Sequence, residues 1–438
     1  MIFRRKKQDE AEEQEQIEYV LFQGPLNGNT PDLRANAKLA QVALVPTKEL
    51  VTDAIMRRAE MIRLDPKGNA AIVRLYVDGV PYPAARMPRQ QGVAVTQMVK
   101  LLAGLDVKER GRGQAGGVNA EHEGVKYELK VQVAPGDAAE RLIVRIENLK
   151  TRPERPDELG FSQTMRDKLR ELTTEHSGGL FCVGPSGSGV TTTTFGILRA
   201  LDPYTRTILT LGDTEERKLI AINPAPFEWT EEDDLKSMVQ RVMRIEPNVL
   251  FIDPVRDADT ARTVFDYTDV VSFVAEFPVK DVASGVQQLI QWTGDPNVVA
   301  DGLRGLVSPK LIRKLCTKCK QVFKPNPKAI AKLGLPPETQ ILYRPPRPPA
   351  PGTPEADAYV PCSKCGGIGY LGRIGIFEVF EMSDGMKEVV RAGAAPQQIR
   401  QLMRTEDMQT FQKEALRLVA EGVTALEEVQ RVFQQPAG

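Results

Sequence analysis

The sequence predicts a mixed α/β fold: a small α+β domain, a larger α/β core, a cysteine-rich module and terminal helices. Three observations predict this organisation. Apolar runs alternate with helical segments in the middle of the chain, which is typical of a mostly parallel sheet covered on both faces. Two CxxC pairs follow that core, and helix-period segments fill the end of the chain. At 438 residues the chain is long enough for several domains, each with its own core.

The bulk composition excludes several classes of protein. Lys+Arg and Asp+Glu are balanced at 58 each, so net charge does not steer the chain to nucleic acid or to an anionic membrane. No apolar run reaches the length of a membrane span, and the first residues are charged, so we expect a soluble cytoplasmic protein. The two histidines, His122 and His176, have polar neighbours and are expected to be exposed. Catalysis by histidine is therefore not expected.

The first third of the chain predicts a flexible lead and a small domain. Residues 1–35 are charged and then rich in Gly and Asn, which favours a flexible segment. Residues 36–147 combine the strand period of Ala71–Val77 with the helix period of Gly92–Leu105, which predicts an α+β domain with helices on one face of a sheet. Residues 148–160 are rich in Pro, Arg and acidic residues, and are predicted to be a linker.

Residues 161–310 are predicted to form the α/β core, and a Gly-rich segment lies at its centre. The apolar run Leu180–Val183 predicts a buried strand, and a helix follows the glycines. The segment fits the phosphate-loop pattern GxxxxGK(S/T) except at Val190, where the pattern has lysine. Its glycines let successive N–H groups converge on one anion at a helix N-terminus. The predicted loop comprises Gly184, Pro185, Ser186, Gly187, Ser188, Gly189, Val190, Thr191 and Thr192.

An alternative interpretation of this loop stays open at the level of sequence. The same residues also suit a tight strand-to-helix connection with no ligand, because motif matches carry a real rate of false positives. Three further apolar runs, separated by helical segments, extend the predicted sheet: Thr207–Leu211, Asn248–Ile252 and Val270–Val274.

Residues 311–380 contain the cysteine-rich module. Cys316 and Cys319 form one CxxC pair, and Cys362 and Cys365 form the other. Four thiolates from two such turns can close a tetrahedron around zinc, whereas disulfides are disfavoured in a reducing compartment. The fifth cysteine, Cys182, is predicted to be a small core residue.

The module also contains a Pro-rich insert, and helices follow it. Arg344–Pro351 is predicted to be an extended solvated loop, with recognition by an aromatic groove as the alternative. Residues 381–438 are predicted to be a small helical bundle, in which Gly422 ends one helix and Thr424 with Glu427 caps the next.

These motifs together resemble one family. Besides the loop and the cysteine pairs, Leu159–Phe161, Arg256–Ala261, Gly369–Glu378 and Gly422–Glu428 appear in the order typical of the hexameric secretion ATPases. That family comprises type II secretion system protein E and the type IV pilus assembly ATPases, and the resemblance runs from Ala37 to Phe433. It implies a RecA-like P-loop core, zinc on the four cysteines, ATP with Mg²⁺ at the loop, and a ring-shaped oligomer. It also implies partners in secretion or pilus machinery at the cytoplasmic face of the inner membrane.

The resemblance carries further nucleotide-binding residues over to this chain. The family's acidic motif, Glu-Asp-Pro-x-Glu, leaves Asp213 and Glu216 as matching carboxylates. Its Walker B box, Gly-Glu-Ile-Arg-Asp, leaves Arg256 and Asp257, for which a packed ion pair without a ligand is the alternative. In the first domain, three arginines match family arginines that reach the phosphates of a neighbouring subunit: Arg74, Arg141 and Arg145.

The departures from the family fall on the chemistry. Val190 replaces the lysine that neutralises the phosphates, Pro254 replaces the glutamate that polarises water, and Pro278 replaces the histidine that senses the γ-phosphate. The resemblance therefore implies a non-hydrolysing relative that acts as a scaffold or regulator. The alternative is a working ATPase with an unorthodox site, in which Lys280 replaces the missing lysine. A zinc module for nucleic acid is disfavoured by the neutral charge.

Overall fold

Two compact units make up the chain, Met1–Arg152 and Pro153–Gly438. Within the described ranges, no helix has both the length and the apolar character needed to cross a bilayer. The computed structural model describes residues 18–137, 139–151, 153, 155–174, 177–202, 204–212, 223–224, 233–252, 255–326, 330, 333–335, 339–350, 352–393 and 395–434.

The first unit is built on an antiparallel seven-stranded sheet of order β1-β5-β6-β7-β2-β3-β4. The predicted apolar face of its second helix is confirmed, because Val95, Met98, Val99 and Leu102 are all buried. The elements are β1 (Leu21–Pro25), α1 (Ala37–Met56), β2 (Met61–Lys67), β3 (Ala70–Val77), β4 (Val80–Pro88), α2 (Arg89–Leu102), β5 (Gln114–His122), β6 (Val125–Ala134) and β7 (Arg141–Asn148).

Two features of this unit differ from the sequence predictions. Leu21–Pro25, assigned to the flexible lead, forms β1 and pairs with β5. His122, expected to be exposed, is only 7% exposed, and its Nε2 lies 2.9 Å from the carbonyl oxygen of Glu18. The reason is strand alternation, since the polar neighbours of His122 point away from the face on which the ring lies. His176 lies outside the described residues.

The second unit contains a seven-stranded sheet of order β10-β9-β11-β12-β8-β13-β16 and a separate β14-β15 pair. The pairs from β10 through β13 are parallel, and β16 pairs antiparallel with β13. The strands are β8 (Gly178–Gly184), β9 (Ile208–Leu211), β10 (Asn223–Pro224), β11 (Val249–Ile252), β12 (Ser272–Pro278), β13 (Leu303–Leu315), β14 (Gln321–Phe323), β15 (Leu342–Arg344) and β16 (Tyr370–Glu381).

Helices cover this sheet and extend beyond it. All seven residues of β8 are buried, as are the four residues of β11, which matches the continuous apolar runs of the sequence. The helices are α3 (Pro156–Leu159), α4 (Gln163–Thr174), α5 (Val190–Ala200), α6 (Leu235–Met243), α7 (Ala258–Phe265), α8 (Val282–Thr293), α9 (Pro296–Gly302), α10 (Pro354–Asp357), α11 (Asp384–Arg391), α12 (Pro396–Thr405), α13 (Phe411–Ala420) and α14 (Leu426–Gln434).

The strand order places the carboxyl end of β8 beside that of β12. In the register of this parallel pair, Gly184 lies opposite Pro278, and Cys182 lies opposite Glu276. Parallel strands gather their carboxyl ends at one edge of a sheet, where open α/β sheets bind ligands. The Gly-rich segment and the end of β12 therefore meet at this edge.

Candidate phosphate-binding loop and tetracysteine centre

The predicted loop makes a sharp turn from β8 into α5. Gly187 has φ +82°, and Gly189, the residue that caps α5, has φ +97°. Both values lie in the left-handed region that glycine adopts without strain. A side chain at Gly184 would place its Cβ 2.6 Å from Ser188 Oγ. The pattern glycines are thus required by the backbone of this turn, whatever the ligand.

One polar group and one apolar group characterise the loop. Ser188 Oγ is buried and makes no hydrogen bond to any described residue, which leaves a polar atom for a ligand or a water molecule. The side chain of Val190 is partly buried and packs against the apolar cluster that includes Leu159 and Phe161. Val190 therefore provides packing where a lysine would provide charge. Pro185, Ser186 and Gly187 are exposed.

Glu276 on β12 is the site residue that sequence reasoning missed. Its Oε1 accepts a hydrogen bond from Thr191 Oγ1 at 2.8 Å, and its Oε2 accepts one from Thr194 Oγ1 at 2.8 Å. Both threonines lie in the first two turns of α5. The available signal was a charged residue that interrupts the buried run from Ser272 to Phe277. Its hydrogen-bond partners depend on the order of the strands in the sheet, which cannot be inferred from the residues of that run.

Cys182 lies opposite Glu276 in the register of β8 and β12. It is fully buried, as predicted for a core residue. Burial raises the pKa of its thiol; a hydrogen bond with Thr194 offsets part of this rise, and the negative charge of Glu276 adds to it. A thiol held neutral in this way is a poor nucleophile and a poor metal ligand.

The end of β12 carries the residues that stand in the family's histidine box. Pro278 is exposed beside Gly184, and the N–H of Val279 donates to the Gly184 carbonyl oxygen at 3.3 Å. Lys280 is exposed. Asp281 caps α8 by accepting from the Ser284 N–H at 2.9 Å, and it pairs with Arg400 Nη2 at 2.7 Å. Asp281 is therefore bound to the scaffold.

Asp257, the carboxylate predicted to match the Walker B box, also has a structural partner. Asp257 caps α7 and accepts from the Thr260 N–H at 2.8 Å, and this bond lowers the pKa of its carboxyl. Arg256 and Asp257 are both exposed, so the alternative of a packed ion pair is wrong. The remaining predicted positions lie outside the described residues: Asp213, Glu216 and Pro254.

The four predicted metal ligands converge on one point. The sulfur atoms of Cys316, Cys319, Cys362 and Cys365 all lie within 4.8 Å of one another. The distance from Cys316 Sγ to Cys362 Sγ is 4.0 Å, and that from Cys319 Sγ to Cys365 Sγ is 3.6 Å. Zn–S bonds of about 2.3 Å in a tetrahedron separate sulfur atoms by about 3.8 Å, so the cluster fits zinc.

Hydrogen bonds outside the sulfur atoms hold the two knuckles together. Lys318 Nζ donates to Ser363 Oγ at 2.7 Å, and Lys364 Nζ donates to Thr317 Oγ1 at 3.0 Å. Backbone N–H groups of residues 364 and 365 lower the pKa of the Cys362 thiol to about 6. The knuckles are thus joined reciprocally, and Cys362 is readily ionised for a metal.

The three family arginines of the first unit lie on strands and are exposed. Arg74 is on β3, where its Nη1 pairs with Asp65 Oδ2 at 3.1 Å, and Arg141 and Arg145 are on β7. An exposed guanidinium is available to a phosphate or a carboxylate of another molecule.

Comparison with known proteins agrees with the motif order. The type IV pilus assembly ATPase PilB of Thermus thermophilus is 27% identical over 389 residues, which cover 87% of this chain and 42% of that protein. Type II secretion system protein E of Xanthomonas campestris pv. campestris is 27% identical over 413 residues, covering 93% of this chain and 70% of that protein. This chain thus spans less than half of the Thermus relative.

Solved structures and a family model complete the comparison. The ATPase DotB of Legionella pneumophila has a TM-score of 0.55 at 12% identity, covering 90% of this chain and 96% of that one. DotB of Yersinia pseudotuberculosis has a TM-score of 0.55 at 14% identity, covering 88% and 92%. These likenesses confirm the mixed α/β fold. The model of the type II/IV secretion system protein family matches residues 36–431. The chain therefore belongs to the type II/IV secretion system protein family.

Proposed function

We propose that this protein is a nucleotide-binding subunit of secretion or pilus-assembly machinery that does not hydrolyse ATP and serves the machine as a scaffold or regulator. The observation that carries the proposal is the packing of Val190 against the apolar core at the position of the family's lysine. The loop keeps its glycine geometry and its threonines, so ATP with Mg²⁺ remains its ligand.

The expected cost of the replacements supports binding without turnover. A hydrogen bond to a charged group contributes about 1.5–3 kcal/mol, so the missing lysine weakens nucleotide binding by about one to two orders of magnitude. Loss of the water-polarising glutamate at Pro254 removes general-base help of typically about 10²–10⁴-fold. Pro278 offers no imidazole beside the loop. Binding survives these losses more readily than catalysis does.

The four cysteines are proposed to bind one structural zinc ion. Cys316 and Cys365 are buried, and a closed site of four sulfur ligands leaves no position for substrate. The ion would hold residues 316–319 against residues 362–365, and so fix the start and the end of the cysteine-rich module. Its contribution is to folding rather than to chemistry.

The assembly and the location of the protein follow from the family. Exposed Arg74, Arg141 and Arg145 support a ring in which the first unit of one subunit reaches the nucleotide of the next. We place the protein in the cytoplasm, attached to the inner membrane through its secretion or pilus partners, with no role for nucleic acid. A strictly monomeric state with nucleotide, measured by light scattering at high concentration, contradicts the ring.

One observation favours the second candidate, an active ATPase with an unorthodox site. Glu276 places a carboxylate against Thr191, so the loop has an acidic group that the family pattern did not predict. Lys280 is exposed and lies two residues beyond Pro278, at the same edge of the sheet. A carboxylate and a cation are the groups that an unorthodox site needs.

A phosphate-release assay on the purified chain separates the two candidates. The expected result is no ATP hydrolysis above the protein-free background, together with saturable nucleotide binding in Mg²⁺. Hydrolysis that disappears in Asp257→Asn or Lys280→Ala would establish the active enzyme instead. Asp259→Asn is a matched control, because Asp259 is also an exposed carboxylate and lies in the first turn of α7, the helix that Asp257 caps.

A further inference from the structure

A cavity of about 410 Å³ lies between β16 and the helices α12, α13 and α14. Sites for small organic molecules have volumes of about 300–1,000 Å³, so this cavity is large enough for a ligand. Met403 and Met408 line it and belong to the apolar core of the large sheet. Phe411 and Leu416 also line it, but each packs against a separate, smaller cluster. The cavity therefore lies where three apolar clusters meet.

Two aromatic rings form one wall of this cavity. Phe411, at the start of α13, and Phe433, near the end of α14, both line it. Lys310 Nζ lies 5.1 Å from the centroid of the Phe411 ring and 5.2 Å from that of the Phe433 ring. A cation at this distance is attracted to a ring face, so one ammonium group holds both rings in place. Because Phe433 is still 42% exposed, this wall is both preformed and accessible.

The mouth of the cavity carries positive charge. Arg404 and Lys413 line the cavity and are exposed, and Arg404 forms no ion pair with any residue in the described ranges. Lys413 pairs with Asp407, whose side chain is 89% exposed. Since such surface pairs contribute little stability, Lys413 can exchange Asp407 for an anionic group of a ligand. Burial raises the pKa of Glu378, which also lines the cavity, to about 7, so near neutral pH this carboxyl repels an anion less than an ordinary glutamate does.

We propose that this cavity binds a free amphipathic anion with a single apolar chain and one carboxylate or phosphate group. The chain contacts Met403, Phe411 and Leu416. Arg404 and Lys413 bind the anionic group through charge-assisted hydrogen bonds. A volume near the lower end of the range for ligand sites suits one chain rather than the two chains of a bilayer lipid. These residues lie outside the phosphate-binding loop, so the inference does not depend on nucleotide binding.

Calorimetric titration of the full chain with octanoate, octanol and octyltrimethylammonium tests the site. These compounds share one apolar chain and differ in charge. The expected result is saturable binding of octanoate at one site per chain, at least about tenfold weaker binding of octanol, and no binding of the cation. Arg404→Gln removes a cation at the mouth and is expected to bind octanoate about tenfold more weakly. Leu416→Trp places a larger side chain in the cavity and is expected to abolish binding.

Arg391→Gln is the matched control, because Arg391 is an exposed arginine on the neighbouring helix α11 and pairs with Asp301 outside the cavity. It should bind octanoate as the unchanged chain does. The inference is wrong if the unchanged chain does not bind octanoate, if the three compounds bind equally, or if Arg404→Gln keeps the full affinity. Should Leu416→Trp fail to fold, as judged by circular dichroism, Arg404→Gln decides the question alone. Cosedimentation with phosphatidylglycerol vesicles that disappears in Arg404→Gln would show that the cavity takes a bilayer lipid, which overturns the proposal of a free ligand.

Discussion

The loop edge and the cysteine knuckles belong to the same unit, yet they depart from the family pattern to different degrees. At the knuckles, all four sulfur atoms are present and within 4.8 Å of one another. At the loop, two side chains that the family pattern places on the nucleotide are replaced, with Val190 in place of lysine and Pro278 in place of histidine, while the threonines are kept. The turn itself is intact, because Gly187 and Gly189 still have positive φ.

The contrast between the loop and the knuckles separates the residues that the fold requires from those that only ligand binding requires. The loop glycines are needed for the backbone of the turn, and Val190 packs on the apolar core. The loop can therefore fold without the side chains that bind and hydrolyse nucleotide. The knuckles bring four sulfur atoms to one point, and four thiolates there would repel one another unless a metal ion bound them. If the protein does not hydrolyse ATP, as proposed, the turn is still kept for its backbone geometry and the cysteines for the proposed zinc ion.

The largest expected effect is that of removing a predicted zinc ligand from the cysteine cluster. Cys362→Ser is expected to lose most of its bound zinc relative to the unchanged chain, because it removes one of the four sulfur ligands. Structural zinc contributes on the order of 10 kcal/mol of binding free energy in small domains, so the unfolding temperature should fall strongly. Elemental analysis and thermal unfolding measure the two effects.

Cys182→Ala is the matched control for the metal. It removes a cysteine that is fully buried below the loop, and it should leave one zinc ion per chain. No zinc in the unchanged chain would show that the cluster is held by thiol packing alone, and zinc retained in full by Cys362→Ser would show that Cys362 is not a required ligand.

A second prediction concerns the scaffold next to the knuckles. Glu428 is completely buried and accepts hydrogen bonds from Arg313 Nη2 at 2.7 Å and from Arg431 Nη2 at 2.6 Å. Glu428→Ala leaves two guanidinium groups without their carboxylate and is expected to cost about 3–5 kcal/mol of unfolding free energy, measured with urea.

The neighbouring residue provides the control for Glu428. Glu427 is exposed and pairs with exposed Arg347 at 3.2 Å, so Glu427→Ala should cost less than about 1 kcal/mol. Equal costs for the two variants would mean that the scaffold does not depend on the buried network. The contrast between the cysteine-rich region and the loop would then not hold, because it assumes that the scaffold near the knuckles depends on buried polar contacts.

The sequence predicted elements better than contacts. The buried strands β8, β9 and β11 match their apolar runs to within one or two residues at most ends, because a strand buried on both faces reads as continuous apolar sequence. Gly422 ends α13 with φ +68°, as predicted. The cysteine cluster was also predictable, since the CxxC spacing fixes two ligands at a time.

Contacts between distant segments could not be read from local pattern. Thr424 was predicted to cap the last helix, but its hydroxyl donates to the Arg313 carbonyl oxygen at 2.8 Å. Lys100 lies on α2 and is completely buried against Glu140, which no helical period indicates. The bonds of Glu276 to the first turns of α5 likewise join residues more than eighty positions apart. In each case the partner is set by sheet order and packing.

The third prediction restores the missing charge to the loop. Val190→Lys is expected to bind ATP about 10–100-fold more tightly, because an ammonium group again reaches the phosphates. Turnover should stay at background, since Pro254 and Pro278 still lack the groups that act together in phosphoryl transfer. A nucleotide titration and a phosphate-release assay measure both quantities.

Val190→Ala separates the new charge from the lost packing. It removes the contact with the apolar cluster but adds no ammonium group, so its ATP affinity should equal that of the unchanged chain. Hydrolysis by Val190→Lys would mean that a single residue inactivates the loop. The loop and the knuckles would then differ from the family pattern only through Val190.

The smallest expected effect is a change in the pH dependence of stability caused by Glu378, which lies near Asp281 at the start of α8. Burial raises the pKa of Glu378 to about 7, and the nearby charge of Asp281 raises it while Arg400 and Lys310 lower it. A carboxyl whose folded pKa exceeds its unfolded value binds more protons in the folded state, so it makes stability fall as pH rises from about 4.5 to about 7. Glu378→Gln resembles the protonated form and should remove this fall. We expect the variant to be about 1–2 kcal/mol more stable than the unchanged chain at pH 8 and equally stable at pH 4.5.

Urea unfolding at the two pH values measures the effect, and Glu381→Gln on the same strand is the control. Glu381 pairs with Lys168 at 2.9 Å near the surface, so its loss should change stability by less than about 1 kcal/mol. The result bears on Asp281, the last carboxylate of the replaced histidine box. If Asp281 is fixed in the scaffold by Ser284 and Arg400, its charge acts on Glu378 whether or not nucleotide is bound. A pH dependence of Glu378 that disappears when Mg²⁺ and ATP are added would instead assign Asp281 to the loop.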